Sequence, residues 1–295
     1  MLRQVVNQTR GQKAVDGAGV HLVRVLGIRN TSLYDPFLML DAFDSTDSKE
    51  FEAGFPLHPH RGIETVSFIS KGQMLHRDHL GTEAVVHDGE AQWLTAGSGA
   101  EHEEWPGGKR LLGTQLWLNL PAKDKMTAPP AYHGISTDEI QEFPLEGGIL
   151  RLVTGDYQDA HGWQGKYLPL DFYDIHLEPN AKVPVPVKKG WSAFLFTLLG
   201  DVMVGDTLVK EKTAAKLGDG DSVGLVAGAS GAEVLLYSSK PLGEPVAWYG
   251  PIVMNTRREL ADAFRELDEG TFIKKQADYG DTSLYGENRE RRSSL

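Results

Sequence analysis

Short stretches of strand-forming residues, each closed by a glycine or a glycine-containing turn, follow one another from Val20 to Leu120, and this rhythm narrows the fold more than any other feature. Val20–Leu26 reads as a strand ending at Gly27, and Pro36–Asp44 as a second, followed by a polar loop over Ser45–Glu52. A third begins in the segment around His58 and continues through Thr65–Ser70 to a turn at Lys71-Gly72. Met74–His79, Ala84–His87, Ala91–Ala96 and Gly113–Leu120 complete the series. Many short strands at close spacing predict an all-β sandwich or barrel rather than a helical or doubly wound fold. The 33 glycines and 15 prolines are the punctuation that such a fold requires.

A chain of 295 residues is long enough for two such units. The first is expected over residues 1–125, a linker rich in proline, alanine and charge over 126–148, and a second β-rich unit over 149–255. Asp171–Leu177, Trp191–Gly200 and Ala232–Ser238 read as strands of that second unit, with turns at Gly200-Asp201, Gly218–Asp221 and Gly231. It repeats the rhythm of the first without its histidines, as a weak internal duplication would, so no metal site is expected there. Thr256–Leu267 carries the clearest helical pattern: Thr256 and Glu259 form a capping box, Leu260, Ala263, Phe264 and Leu267 make one apolar stripe, and Gly270 ends it. Beyond Gln276 the chain is polar and is expected to be a mobile tail.

Composition removes several function classes. The net charge is -11 and no basic patch interrupts the folded part, which argues against direct contact with nucleic acid. The chain contains no cysteine, so disulfides, thiolate ligands and thiol nucleophiles are all excluded, and any metal must rest on nitrogen and oxygen. The first residues lack the apolar core of a signal peptide and no run reaches transmembrane length, which predicts a cytoplasmic protein with no membrane partner.

The chemistry concentrates in Leu57–Glu64 and Glu101–Glu104. Residues i and i+2 of a strand project from one face, so His58 and His60 point one way together, as do His102 and Glu104. Placed side by side, the two segments bring three imidazoles and a carboxylate to one point. Pro59, which donates no backbone hydrogen bond, suits an edge strand or a barrel mouth. Glu64 shares the parity of His58 and His60 and is a rival for the carboxylate position, whereas Glu101 and Glu103 should face away. His76 and Asp78 could line the same cavity without being ligands. Surface or hydrogen-bonded roles suffice for His21, His87, His133, His161 and His176.

The stretch Gly54–Val66, with its Leu57-His58-Pro59-His60-Arg61-Gly62 centre, resembles the signature of the pirins, a family of the cupin superfamily. Gln92–Gly97, His102–Pro106, Gln115–Pro121, Gly243–Val246 and Tyr249–Thr256 resemble further pirin blocks in the same order, so the resemblance covers most of the chain. It implies a bicupin with a metal in the first barrel only, and places the ligands on His58, His60, His102 and Glu104. The chain departs from the pattern at Glu101, Glu103 and His79, where pirins usually carry other residue types.

Imidazole and carboxylate ligands accept Mn, Ni, Cu or Zn as well as Fe(II), and leave open positions at which substrate and O2 can be admitted. The resemblance points to Fe(II) and to quercetin 2,3-dioxygenase activity, in which a flavonol ring is opened by O2 with release of carbon monoxide. Glu104 is then the expected general base for the flavonol 3-hydroxyl. The same resemblance leaves two alternatives: a metal-binding transcription co-regulator with a protein partner, and a bicupin enzyme acting on a different small phenolic.

Overall fold

The structure, a computed structural model, describes residues 1–274; the polar tail from Gln276 lies outside the described residues. Every paired strand is antiparallel apart from isolated bridges. A nine-stranded sheet runs, in spatial order, Ala131–Ile135, Glu90–Thr95, Ile63–Asp78, Ala100–Asn119, Phe37–Ser45, Val20–Leu26 and Gln12–Asp16, with Phe55–His60 and Glu83–Val86 as side branches. A seven-stranded sheet runs Val5–Arg10, Thr213–Leu217, Ser192–Leu199, Ala232–Ser239, Leu170–Leu177, Gly148–Thr154 and Gln141–Leu145. A four-stranded sheet, Lys182–Pro186, Ser222–Ala227, Val202–Val204 and Thr207–Val209, closes over the inner face of the seven-stranded one. These are two cupin barrels, as the strand rhythm and the resemblance led us to expect.

The two longest strands, Ile63–Asp78 and Ala100–Asn119, make the first barrel by bending together. Their pairing slips between Ile69 and Lys71 and again between Lys71 and Gln73, so each serves both walls. Gly72 sits at this bend with φ +105°, and a Cβ there would lie 2.3 Å from the Arg110 carbonyl oxygen; only glycine lets the strands cross so closely.

Ile63–Ser70 is buried at every position because both of its faces are covered. One face looks into the barrel; the other carries Val66 and Phe68 against the second barrel. There Phe68 meets Phe172 edge-on at 5.4 Å, Phe37 meets Phe194 at 4.9 Å, and the hydroxyls of Thr114 and Tyr237 lie 3.1 Å apart. Lys182–Pro186, by contrast, alternates exposed and buried residues, as a strand with one wet face must.

The barrels are interlocked at both ends of the chain. Val5–Arg10 belongs to the second barrel's sheet although it precedes the first. The segment 126–148 contributes Ala131–Ile135 to one large sheet and Gln141–Leu145 to the other. After the second barrel the chain returns: Ile252 bridges Arg61, and the helix Arg257–Asp268 packs its apolar stripe on Ile252, Met254 and Phe272. Thr256 and Glu259 form the expected capping box. The buried Arg61 clasps this return, with Nη1 2.8 Å from Glu266, Nε donating to Ser98 O at 2.8 Å and Nη2 to Phe272 O at 2.6 Å. Among the described residues no helix is long and apolar enough to cross a membrane.

Candidate metal centre

Phe55–His60 is an edge strand paired only with the first half of Ala100–Asn119, which is why Pro59 is tolerated within it. The register sets His58 directly opposite His102. The imidazole centroids of His58, His60 and His102 stand 4.7, 4.5 and 5.0 Å apart, and one ligand-type nitrogen from each lies within 4.8 Å of the others. His58 is half-buried at the mouth; His60 and His102 are buried.

Hydrogen bonds dictate which nitrogens are free. His58 Nδ1 lies 2.8 Å from Pro56 O and His60 Nδ1 lies 3.0 Å from Pro251 O. A carbonyl can only accept, so both Nδ1 atoms carry a proton, which leaves Nε2 as the ligand-type nitrogen of each ring. His102 Nε2 is buried with no partner at all. Burial, reinforced by His58, depresses the His60 pKa to about 3, and burial with its neighbouring imidazoles holds His102 well below the ordinary histidine value. A neutral His60 and a neutral His102 with an unpartnered nitrogen are what a metal ion requires.

Glu104 is buried one strand pair away, opposite His76. Its carboxylate groups with His102 and His76, ligand atoms again within 4.8 Å, so two clusters share His102. Gln92 Nε2 donates to Glu104 Oε1 at 2.5 Å and Gln115 Nε2 to Oε2 at 2.7 Å, with Ser67 Oγ at 3.4 Å. The amides are themselves oriented: Tyr132 OH donates to Gln92 Oε1 at 3.1 Å and Trp117 Nε1 to Gln115 Oε1 at 3.4 Å. His76 stacks on Tyr132 at 4.4 Å and approaches His102, Nδ1 to Nδ1, at 3.4 Å.

A cavity of about 480 Å³ opens on this cluster, lined by His58, His60, Glu104 and Gln115 on one side. Phe43, Phe55, Trp117 and Trp248 give it aromatic walls. Arg24 also lines it, forked onto Asp41 at 2.9 and 2.7 Å and touching Asp16 at 2.6 Å. Its size and its apolar lining with a few polar groups are those of a small-molecule site.

Glu64, read as a rival carboxylate, is excluded. The chain turns at Arg61-Gly62, so the parity of His58 and His60 does not carry into Ile63–Asp78. Gly62 has φ +79°, and a Cβ there would fall 1.9 Å from Val253 O. Glu64 therefore shares the face of Val66 and Phe68, where it accepts from Thr95 Oγ1 at 2.7 Å. Glu103 faces away, 3.6 Å from Arg77, as its parity predicts. Gln92 and Gln115 went unread as functional, although an amide inside an otherwise apolar strand is a signal available in the sequence.

Two fused barrels, one with a cavity ending in imidazoles and a carboxylate, define a bicupin with a metal-type pocket in its first barrel. Residues 19–118 match the Pirin family model and residues 172–273 match the Pirin C-terminal cupin domain. The chain belongs to the pirin family. It is 39% identical over 276 residues to a pirin-like protein of Caulobacter vibrioides, covering 92% of this chain and 99% of that one. Human pirin is 34% identical over 278 residues, with 91% of this chain and 94% of that one covered. The crystal structure of a quercetin 2,3-dioxygenase from Acinetobacter baumannii superposes with a TM-score of 0.84 at 31% identity, covering 93% of this chain and 100% of that one.

Proposed function

We propose that this protein is a metal-dependent dioxygenase that opens flavonols such as quercetin with O2 and releases carbon monoxide. The observation that carries this reading is a cluster of three imidazoles whose His102 is shared with the amide-clamped Glu104 carboxylate, beside an aromatic-walled cavity. The solved relative described as a quercetin 2,3-dioxygenase supports it. His58, His60, His102 and Glu104 are the proposed ligands, and Fe(II) the proposed ion. Bound there, iron supplies Lewis acidity toward a substrate oxygen and the one-electron chemistry that O2 needs.

The remaining work falls to the protein. Trp117, Trp248, Phe43 and Phe55 offer apolar faces to a flat polyphenol. Glu104 accepts the flavonol 3-hydroxyl proton. Gln92 and Gln115 can only donate from the atoms they present to it, so the carboxylate is the single proton acceptor between them. Their two hydrogen bonds also fix its position at the cavity wall.

The test is anaerobic metal analysis, then quercetin and air with absorbance and carbon monoxide followed together. Turnover is expected to scale with bound metal and to vanish in His60→Ala. Glu104→Gln should keep substantial metal yet lose turnover by at least about 100-fold, the scale of a general base. Full activity in Glu104→Gln removes the base role, and wild-type protein that takes up no Fe(II) removes the reading altogether.

A further inference from the structure

The face that the seven-stranded sheet turns toward the first barrel does not stay apolar to its edge. Phe172, Leu235 and Tyr237 pack in the shared core. Further along the same strands and on the same face come Asp174 and His176, two residues apart, with Glu233 directly opposite His176. Here the core gives way to a groove of about 520 Å³ between the barrels, lined by Ser70, Asp88, Arg110, Arg151 and these three groups.

Its electrostatics are unbalanced. Asp174 is fully buried, yet only Oδ2 is engaged, by Arg151 Nη1 and His176 Nε2, both at 2.9 Å; Oδ1 has no hydrogen-bond partner. Glu233 is 6% exposed and its Oε1 also lacks one. The other nearby cations are engaged elsewhere: Lys71 with Asp88, and Arg110 and Lys212 with Asp44. Arg151 itself divides its charge between Asp174 and Glu142. Two buried carboxylate oxygens thus face one groove with no donor, an arrangement native interiors rarely tolerate.

We propose that Asp174, His176 and Glu233 form a second divalent-metal site of the zinc class, at the junction of the two barrels. One ligand atom from each already lies within 4.8 Å of the others. An imidazole beside two carboxylates selects a borderline transition ion over calcium or magnesium, which prefer more oxygen ligands. To bind, His176 Nε2 leaves Asp174 Oδ2 and takes the ion in place of its proton, which passes to solvent. The His176 side chain is 43% exposed, so the ion has an entry path and keeps water in its remaining position. The site pins Leu170–Leu177 to Ala232–Ser239 in a groove that Ser70 of the first barrel also lines. This site is independent of the dioxygenase reading.

The experiment is zinc titration of the metal-stripped full chain against a chromophoric chelator, alongside thermal unfolding. Wild type should take two equivalents. Glu233→Gln and His176→Ala should each lose one equivalent, or bind it at least tenfold more weakly, and His58→Ala/His60→Ala should keep it. In that last variant zinc should raise the unfolding midpoint, and adding His176→Ala should abolish the rise. Uptake indifferent to Glu233→Gln and His176→Ala, or no zinc retained by His58→Ala/His60→Ala, overturns the proposal. Because the His176 ring is partly exposed, His176→Ala keeps the test in force if Glu233→Gln does not fold.

Discussion

Gln92 presents its amide nitrogen to the acceptor-only Glu104 carboxylate at 2.5 Å, and its amide oxygen in turn accepts from Tyr132 OH at 3.1 Å. The carboxylate is therefore held by a group that is held in turn. Removing an outer partner of a metal-ligating residue commonly weakens metal affinity or activity ten- to a hundredfold. Gln92→Leu, similar in volume, is expected to lower quercetin turnover by about 10- to 100-fold through a freed Glu104. Tyr132→Phe should have a smaller effect of the same sign, because it only releases the amide. Steady-state kinetics on the two variants, normalised to bound metal, check the order.

Arg61 gathers the C-terminal return, and that return supplies Pro251 O to His60 Nδ1. Arg61→Met strips the buried Ser98 and Phe272 carbonyls of their donor, while Glu266 keeps Lys274 at 3.0 Å, and should destabilise the protein by roughly 1–3 kcal/mol for each carbonyl left unpaired. The same variant should bind metal more weakly at the proposed site, since His60 loses the contact that fixes its tautomer. Faster proteolysis within Arg257–Asp268, together with a lower metal content, is the expected pair of results. Unchanged metal content would separate the clasp from the site.

Burial raises the Glu64 carboxyl to a pKa of about 7. The folded state then binds more protons than the unfolded state between about 4.5, the ordinary value, and 7. Its contribution is fully present below 4.5 and is lost as pH rises through 7, by an amount on the order of 3 kcal/mol. Glu64→Gln keeps the hydrogen-bonding shape without the titration. Wild-type stability should fall from pH 5 to pH 8 relative to this variant, in denaturant titrations at each pH. Parallel profiles would mean that Glu64 stays ionised.

Much of the fold was legible because it is local. Runs of strand-forming residues bounded by turns marked Val20–Leu26, Leu170–Leu177 and Ala232–Ser239 within a residue or two, and the Thr256–Glu259 box marked the helix start. His58 and His60 were legible for the same reason, since two residues of one strand share a face whatever lies beside them. What escaped depends on distant register. The turn at Gly62 cannot be seen without Val253, which it abuts, so Glu64 seemed to continue the histidine face. The pairings of His76 with Glu104 and of His176 with Glu233 exist only once strands far apart in sequence are aligned. The placing of Val5–Arg10 in the second barrel follows from its pairing with Thr213–Leu217, across most of the chain.

That interlocking bears on how the protein is made. A nascent chain that has completed only the first barrel has no Pro251 to fix His60 and no Trp248 to wall the cavity, while the second barrel draws its edge strand Val5–Arg10 from ahead of the first. In chain order the second barrel's last strand, Ala232–Ser239, is made before the segment that completes the first barrel's cavity. The proposed metal site therefore reaches its final geometry only with the segment that carries Trp248 and Pro251: a chain cut short before Pro251 lacks the carbonyl that sets the His60 tautomer.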